Sequence, residues 1–265
     1  MSGPHLLAIG SGKGGTGKTL IAVSLAHALA HEGERVLLCD ADLGLSNTTV
    51  HLGLERGGDL AGVLSGKRAL AEAIVPAHGG VAKRGGFDVL AAPAGSGALA
   101  DIGEDQAKRL IDTLRAAKTY DRVLLDLGAG VDATTMHFAA SAEDSLLVLT
   151  PDPASLADAY AFAKLVKRRG AKLPFVVVNM AANDPEARRT SGALGMTCQA
   201  FLKEVPEYLG AIPRDAHVLE AVRRQSLLLS LHPQAPASLA IAIVARRLHN
   251  KIAPGPLVAQ ASGLR

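Results

Sequence analysis

Residues 10–20 read GSGKGGTGKTL, a glycine-rich run that carries two lysines, Lys13 and Lys18. It follows the apolar run HLLAIGS (residues 5–11) and precedes residues 19–31, a segment of helical period with Leu20, Val23 and residues 25–29 on its expected buried side. Residues 12–19 fit the G-x-x-x-x-G-K-[ST] spacing of a phosphate-binding loop. The position between a strand and a helix gives so short a pattern its meaning. Gly14, Gly15 and Gly17 let the backbone wrap so that its N–H groups face phosphate oxygens. The helix N-terminus adds its positive end. The predicted cradle is Gly12, Lys13, Gly14, Gly15, Thr16, Gly17, Lys18, Thr19 and Leu20. Lys18 is expected to reach the β- and γ-phosphates, and the Thr19 hydroxyl to hold Mg2+. The cradle itself has no need of Lys13.

Outward from this loop, short apolar runs alternate with longer helical segments. RVLLCD (35–40), FDVLAAP (87–93), DRVLLDL (121–127), SLLVLTP (145–151), FVVVNM (175–180) and YLGAIP (208–213) read as further strands. Strands this uniformly apolar, with helices between most of them, predict an α/β fold. Its central sheet is mostly parallel and covered by helices on both faces. Ligands in such sheets bind at the carboxyl ends of the strands. Residues 1–253 are read as one domain and 254–265 as a short tail.

The totals agree with a globular protein. The chain has 265 residues, 48% of them hydrophobic and 20% charged, and a formal charge of +3, which does not announce nucleic acid. Cys39 and Cys198 stand 159 residues apart, without metal-ligand spacing, which fits a reduced cytoplasmic setting. The start, MSGPHLLAIGSG, lacks the basic region of a signal peptide. Residues 225–245 carry no charge, but Pro233, Pro236 and His232 argue against a spanning helix.

Two strands end in aspartate. Asp40 and Asp42 follow the second strand, and positions i and i+2 of a strand share a face. Asp126 stands next to last in DRVLLDL, ahead of Gly128 and Gly130, which permit a mobile loop near the γ-phosphate. Further along, Asn179 offers one donor and one acceptor to a base. Pro213 and Asp215 follow YLGAIP, where Asp215 reads equally well as the N-cap of the next helix.

At this point the sequence resembles a family. KGGTGKT (13–19) is similar to the deviant Walker A motif of the MinD/ParA class of P-loop ATPases, and the likeness runs over residues 7–248. In that class the early lysine, here Lys13, crosses a dimer interface to the partner's nucleotide. The resemblance implies a MinD-like P-loop NTPase fold, ATP and ADP as ligands, and slow intrinsic hydrolysis. It also implies a monomer with ADP and a homodimer with ATP. Asp40 and Asp126 would lie in the Mg2+ shell with Thr19, Asp42 would position the attacking water, and Asn179, Pro213 and Asp215 would border adenine.

CDADLGLSNTTVHLGL (39–54), DLGAG (126–130), TPDPASLADAYAFAKLV (150–166), VVNM (177–180) and EYLGAIPRDAHVLEAVRRQ (207–225) most resemble the flagellar-number branch, FlhG/FleN or YlxH. That branch implies an ATP-switched regulator of flagellum placement or number, cytoplasmic or peripheral at the membrane. Its partners would be an SRP-type flagellar GTPase, flagellar switch proteins or a transcription regulator. The branch carries a GTPase-stimulating segment before its first strand, whereas only MSGPH stands there, so that activity is not carried over. Ile241, Val244, Leu248 and Ile252 line one helical face opposite Arg246, Arg247 and Lys251; this reads as the last core helix or as a weak lipid-surface helix.

Three other functions stay open. A ParA-like DNA-segregation ATPase would use Arg223, Arg224, Arg246, Arg247 and Lys251 as a basic patch, although no aromatics interleave with them and nucleic acid is not expected. An iron–sulfur relative would need clustered cysteines, which the chain lacks. A kinase or synthetase would use the same loop on a small acceptor.

Overall fold

The computed structural model describes residues 3–42, 47–54, 58–92 and 103–252. Residues 43–46 of the DADLGLSN block, residue 93 of the FDVLAAP run, residue 253 and the tail 254–265 lie outside the described residues. The strands are β1 (His5–Ser11), β2 (Val36–Ala41), β3 (Val75–Ala77), β4 (Phe87–Leu90), β5 (Arg122–Ala129), β6 (Asp144–Leu149), β7 (Phe175–Ala181) and β8 (Tyr208–Pro213). Between β1 and β2 runs α1 (Lys18–His31); α2 (Thr48–Leu52), α3 (Leu60–Leu64) and α4 (Leu70–Ala73) precede β3. Then come α5 (Glu104–Arg115), α6 (Ala133–Ser141), α7 (Pro153–Arg168) and α8 (Asp184–Leu202), and after β8 α9 (Ala216–Arg223), α10 (Leu228–Leu231) and α11 (Pro236–Lys251).

Among the described residues one sheet forms, in the order β3-β4-β2-β5-β1-β6-β7-β8. Every neighbouring pair is parallel except β3 with β4. The period of two along β1 divides the interior. Leu6 and Ala8 join the core beneath α5, α6, α7 and α8, while Leu7 and Ile9 join the core beneath α1 and α11. The mostly parallel sheet covered on both faces is thus as the sequence predicts.

Four details differ from the sequence reading. The first is that β5 runs on past Asp126 through Gly128 to Ala129, where the sequence reads a mobile loop. The edge strand β3 was not expected: it is three residues long, contains Pro76 and pairs on one side only. The run FDVLAAP is strand only as far as Leu90. Helix α1 has no single buried side. Ile21 and the nine residues after it are all buried, while Leu20 is half-buried, because α1 packs against the sheet, α2, α10 and α11.

The two readings of the last helix are resolved by burial. Ile241 and Leu248 are 0% exposed, Val244 1% and Ile252 6%, so this stripe is core and not a lipid-facing surface. Among the described residues no helix is long and apolar enough to cross a membrane. α11 is also tied to the sheet by charge. Arg122, wholly buried at the start of β5, donates from Nε to Glu34 Oε2 at 2.5 Å and from Nη2 to the Ile252 carbonyl at 3.0 Å. His249 Nδ1 lies 2.7 Å from the other Glu34 oxygen.

Candidate nucleotide site

The loop between β1 and α1 has the geometry its glycines predict. Gly15 and Gly17 adopt φ of 78° and 82°, in the left-handed region. Gly17 is the N-cap of α1, with no side-chain cap and no acidic residue in the first turn, so the helix start keeps its N–H groups for an anion. Gly12 is required for another reason. A Cβ there would lie 2.2 Å from the Asp158 backbone, so α7 packs directly on the loop.

Acidic side chains form the floor. Asp40 of β2 and Asp126 of β5 are register partners on adjacent parallel strands, 1% and 0% exposed. Asp40 accepts hydrogen bonds from the Asp42 and Thr48 N–H groups, both at 3.1 Å. The Asp42 side chain lies against Gly128; a Cβ on that glycine would meet Asp42 Oδ1 at 3.7 Å. Lys18 Nζ donates to Asp126 Oδ1 at 2.6 Å. Burial pushes the Asp126 carboxyl up to about 6; Lys18 opposes the rise, Asp40 adds to it, and the Thr19 hydroxyl opposes it. Breaking a buried ion pair without a substitute costs about 3–5 kcal/mol. A phosphate that drew Lys18 away would therefore need to supply that compensation itself.

These residues fit a magnesium ion. Asp126 Oδ2 is buried without a hydrogen-bond partner, with Asp40 beside it and Thr19 acting on the same carboxylate. Among the described residues no three His, Cys, Asp or Glu side chains form a ready cage. That suits Mg2+, which keeps several waters and takes phosphate oxygens.

Lys13 has a partner that its place in the loop does not reveal. Its Nζ donates to Asp152 Oδ1 at 2.7 Å. Asp152 is the N-cap of α7, accepting from Ser155 N–H at 2.8 Å and from the Thr150 hydroxyl at 2.6 Å. The bond from Lys13, then those from Thr150 and Ser155, hold this carboxyl well below the usual range.

Beside the loop opens a groove of about 540 Å³, bordered by Lys13, Gly14, Asp152, Met180, Glu186 and Arg214. It lies at the carboxyl ends of β6, β7 and β8, as expected of such a sheet. Met180, Glu186 and Arg214 were missed in the sequence; their only signal is position, next to last in β7, in the first turn of α8 and directly after β8. Asn179 sits beneath the loop, 3% exposed, and donates from Nδ2 to the Thr16 carbonyl at 2.7 Å. Pro213 ends β8, beside Arg214. Asp215 does cap helices. One oxygen accepts from His217 N–H at 2.9 Å at the start of α9, the other from Ala237 N–H at 3.0 Å at the start of α11.

The alternatives gain no support from the geometry. Of the five cations in the basic cluster, Arg224 pairs with Glu220 at 2.8 Å, Lys251 pairs with Glu207 at 2.5 Å, and Arg247 donates to the Leu209 carbonyl. Both cysteines are free and buried; burial raises the Cys198 thiol to about 11 and pushes the Cys39 thiol further up. Neither is a ready thiolate ligand.

Comparison with known proteins agrees with this architecture. Residues 7–228 match the model of the CobQ/CobB/MinD/ParA nucleotide binding domain. The chain is 35% identical to the antiactivator FleN of Pseudomonas aeruginosa over 246 residues, 92% of this chain and 86% of that protein. It is 31% identical to the flagellum site-determining protein YlxH of Helicobacter pylori over 261 residues, 98% of this chain and 86% of that one. The structure of the MinD cell division protein of Aquifex aeolicus superposes with a TM-score of 0.75 at 28% identity, covering 96% of this chain and 100% of that one. With its strand-to-helix phosphate loop and paired carboxylates, the chain belongs to the MinD/ParA family of P-loop nucleotide-binding proteins.

Proposed function

We propose that the protein is a Mg-dependent ATPase that dimerises with ATP and regulates the number or placement of flagella. One observation carries the reading. The second loop lysine is held at the buried carboxylate floor, while the first points away from it, toward the rim of the groove. A lysine at the rim can serve a phosphate outside its own cradle. The likeness to FleN and YlxH gives the biological setting.

In this reading the N–H groups at the start of α1 and Lys18 bind the β- and γ-phosphates, and Asn179, Pro213, Asp215 and Arg214 border adenine. Thr19, Asp40 and Asp126 hold Mg2+, which neutralises phosphate charge. Asp42 orients the attacking water on the Gly128 side. Lys13 exchanges Asp152 for the nucleotide of a second subunit, where it stabilises charge in the transition state as an arginine finger does. Dimerisation then depends on the γ-phosphate. The cytoplasm, or the inner membrane face in company with a partner, is the proposed location. An SRP-type GTPase, switch proteins or a transcription regulator are the proposed partners.

The test is complementation. In Pseudomonas aeruginosa cells lacking FleN, the protein should return the flagellar count per cell to that of the parent strain, and the Lys18→Ala variant should not. An unchanged count with the wild-type protein expressed and folded would sink the flagellar assignment.

A further inference from the structure

Far from the phosphate loop, α1 carries His27 and His31 one turn apart, on one helix face. Their Nε2 atoms lie 3.0 Å apart and their ring centroids 4.6 Å apart. His78, in the left-handed region at φ 51° after β3, approaches His27 edge-on with centroids 5.3 Å apart. His27 is 1% exposed, and burial, with His31 and His78 adding to it, depresses its pKa to about 3. The ring is therefore neutral near pH 7, and a bound ion would have to replace only the hydrogen bond between the two Nε2 atoms, its proton passing to the Nδ1 of the same ring. Its Nδ1 is buried without a partner, and the Ser230 hydroxyl lies 3.4 Å from its Nε2.

We infer that His27 and His31 chelate a divalent late transition-metal ion of the Ni2+ or Cu2+ kind through their Nε2 atoms, with His78 recruited as a third ligand. Two nitrogens 3.0 Å apart, each about 2.0–2.1 Å from a metal, subtend about 90°. That is the angle between adjacent positions of an octahedral or square-planar ion, and imidazole suits both metals. A tetrahedral zinc ion would require a wider separation.

Among the described residues no three potential ligands already surround one point, so the preformed part is the two-nitrogen chelate. His78 stands on a turn continued by Gly79 and Gly80, with φ of 94° and 67°, which gives the backbone latitude to bring its ring in. Two features limit the affinity. Lys83 places a positive charge near His78. The buried Nδ1 of His27 has no acceptor, and loss of such support typically costs about 10–100-fold. The ion would clip α1 to the turn between β3 and β4, nine residues beyond Lys18 and so about 14 Å along the helix.

The test is calorimetric titration of the untagged full-length chain with NiCl2. Wild type should bind one ion per chain, His31→Ala at least tenfold more weakly, and His78→Ala measurably more weakly. His31 is exposed, so its variant should keep the wild-type circular dichroism. His217→Ala should bind like wild type, because His217 pairs with His232 elsewhere, at 4.4 Å between centroids. No heat of binding, equal affinity in His31→Ala, or a loss that follows His217→Ala would each overturn the site.

Discussion

Lys13 Nζ lies 2.7 Å from Asp152 Oδ1, so the loop lysine that the phosphate cradle does not need is held by the N-cap of α7. Loop and helix also meet at Gly12 and Asp158, where a side chain on the glycine would not fit. The first lysine is therefore anchored on the helix that flanks the groove, and the second on the floor beneath it. Different anchors predict separable mutant phenotypes.

Lys18→Ala should abolish nucleotide binding, because the phosphates lose their cation in cis. The variant should stay folded: Asp126, already raised to about 6, takes up a proton instead of remaining a buried unpaired charge. Calorimetry with ATP measures this. Near-normal affinity would remove Lys18 from the site.

Asp126 predicts a pH dependence of magnesium. Its raised pKa means that the carboxylate is protonated below about 6 and cannot order the metal's water shell. The gain in ADP affinity on adding Mg2+ should be full at pH 8 and fade as pH falls through about 6. The sign for stability follows from the same shift. With the folded value above the ordinary 3.8, this group's favourable contribution is complete below 3.8 and is lost as pH rises through about 6. A magnesium effect unchanged down to pH 5 would contradict the assignment.

Glu34→Ala should be severely destabilising although it is remote from the nucleotide. It leaves Arg122, 0% exposed, as a buried cation without its carboxylate and removes the partner of His249. The expected loss is about 3–5 kcal/mol, read from urea unfolding. A loss under about 1 kcal/mol, within the range of surface pairs, would show that water reaches Arg122.

Much of this was legible in the sequence. HLLAIGS is β1 residue for residue, because a strand covered on both faces is an uninterrupted apolar run with a glycine-rich loop to end it. The position of Asp126 at the floor could also be read, since it stands at the end of such a run. β3 could not be read: three residues containing a proline carry no periodicity. The pairing of Lys13 with Asp152 was equally hidden. DPAS marks a helix N-cap, but no local pattern joins side chains 139 residues apart. For Asn179 the residue type suggested a base-pairing edge, yet its amide donates to the Thr16 carbonyl, a contact set by how closely β7 approaches the loop.

Asp42→Ala should separate dimerisation from hydrolysis. Asp42 lies on the Gly128 side of the floor, while Lys13 donates to Asp152 and Lys18 to Asp126. Without it the water loses its orientation, while the phosphates keep their cations. The variant should elute as a dimer with ATP and remain one, with phosphate release lower by about a hundredfold, equivalent to about 3 kcal/mol in the transition state. Normal turnover would remove Asp42 from the reaction.

Sizing chromatography of Lys13→Ala with ATP, run beside a phosphate-release assay, asks whether Lys13 acts on the partner's nucleotide. With Lys13 in that role, the variant binds ATP as wild type does, elutes as a monomer where wild type elutes as a dimer, and releases no phosphate above background. A Lys13→Ala protein that dimerises and hydrolyses normally would contradict it and leave Lys13 as no more than the partner of Asp152.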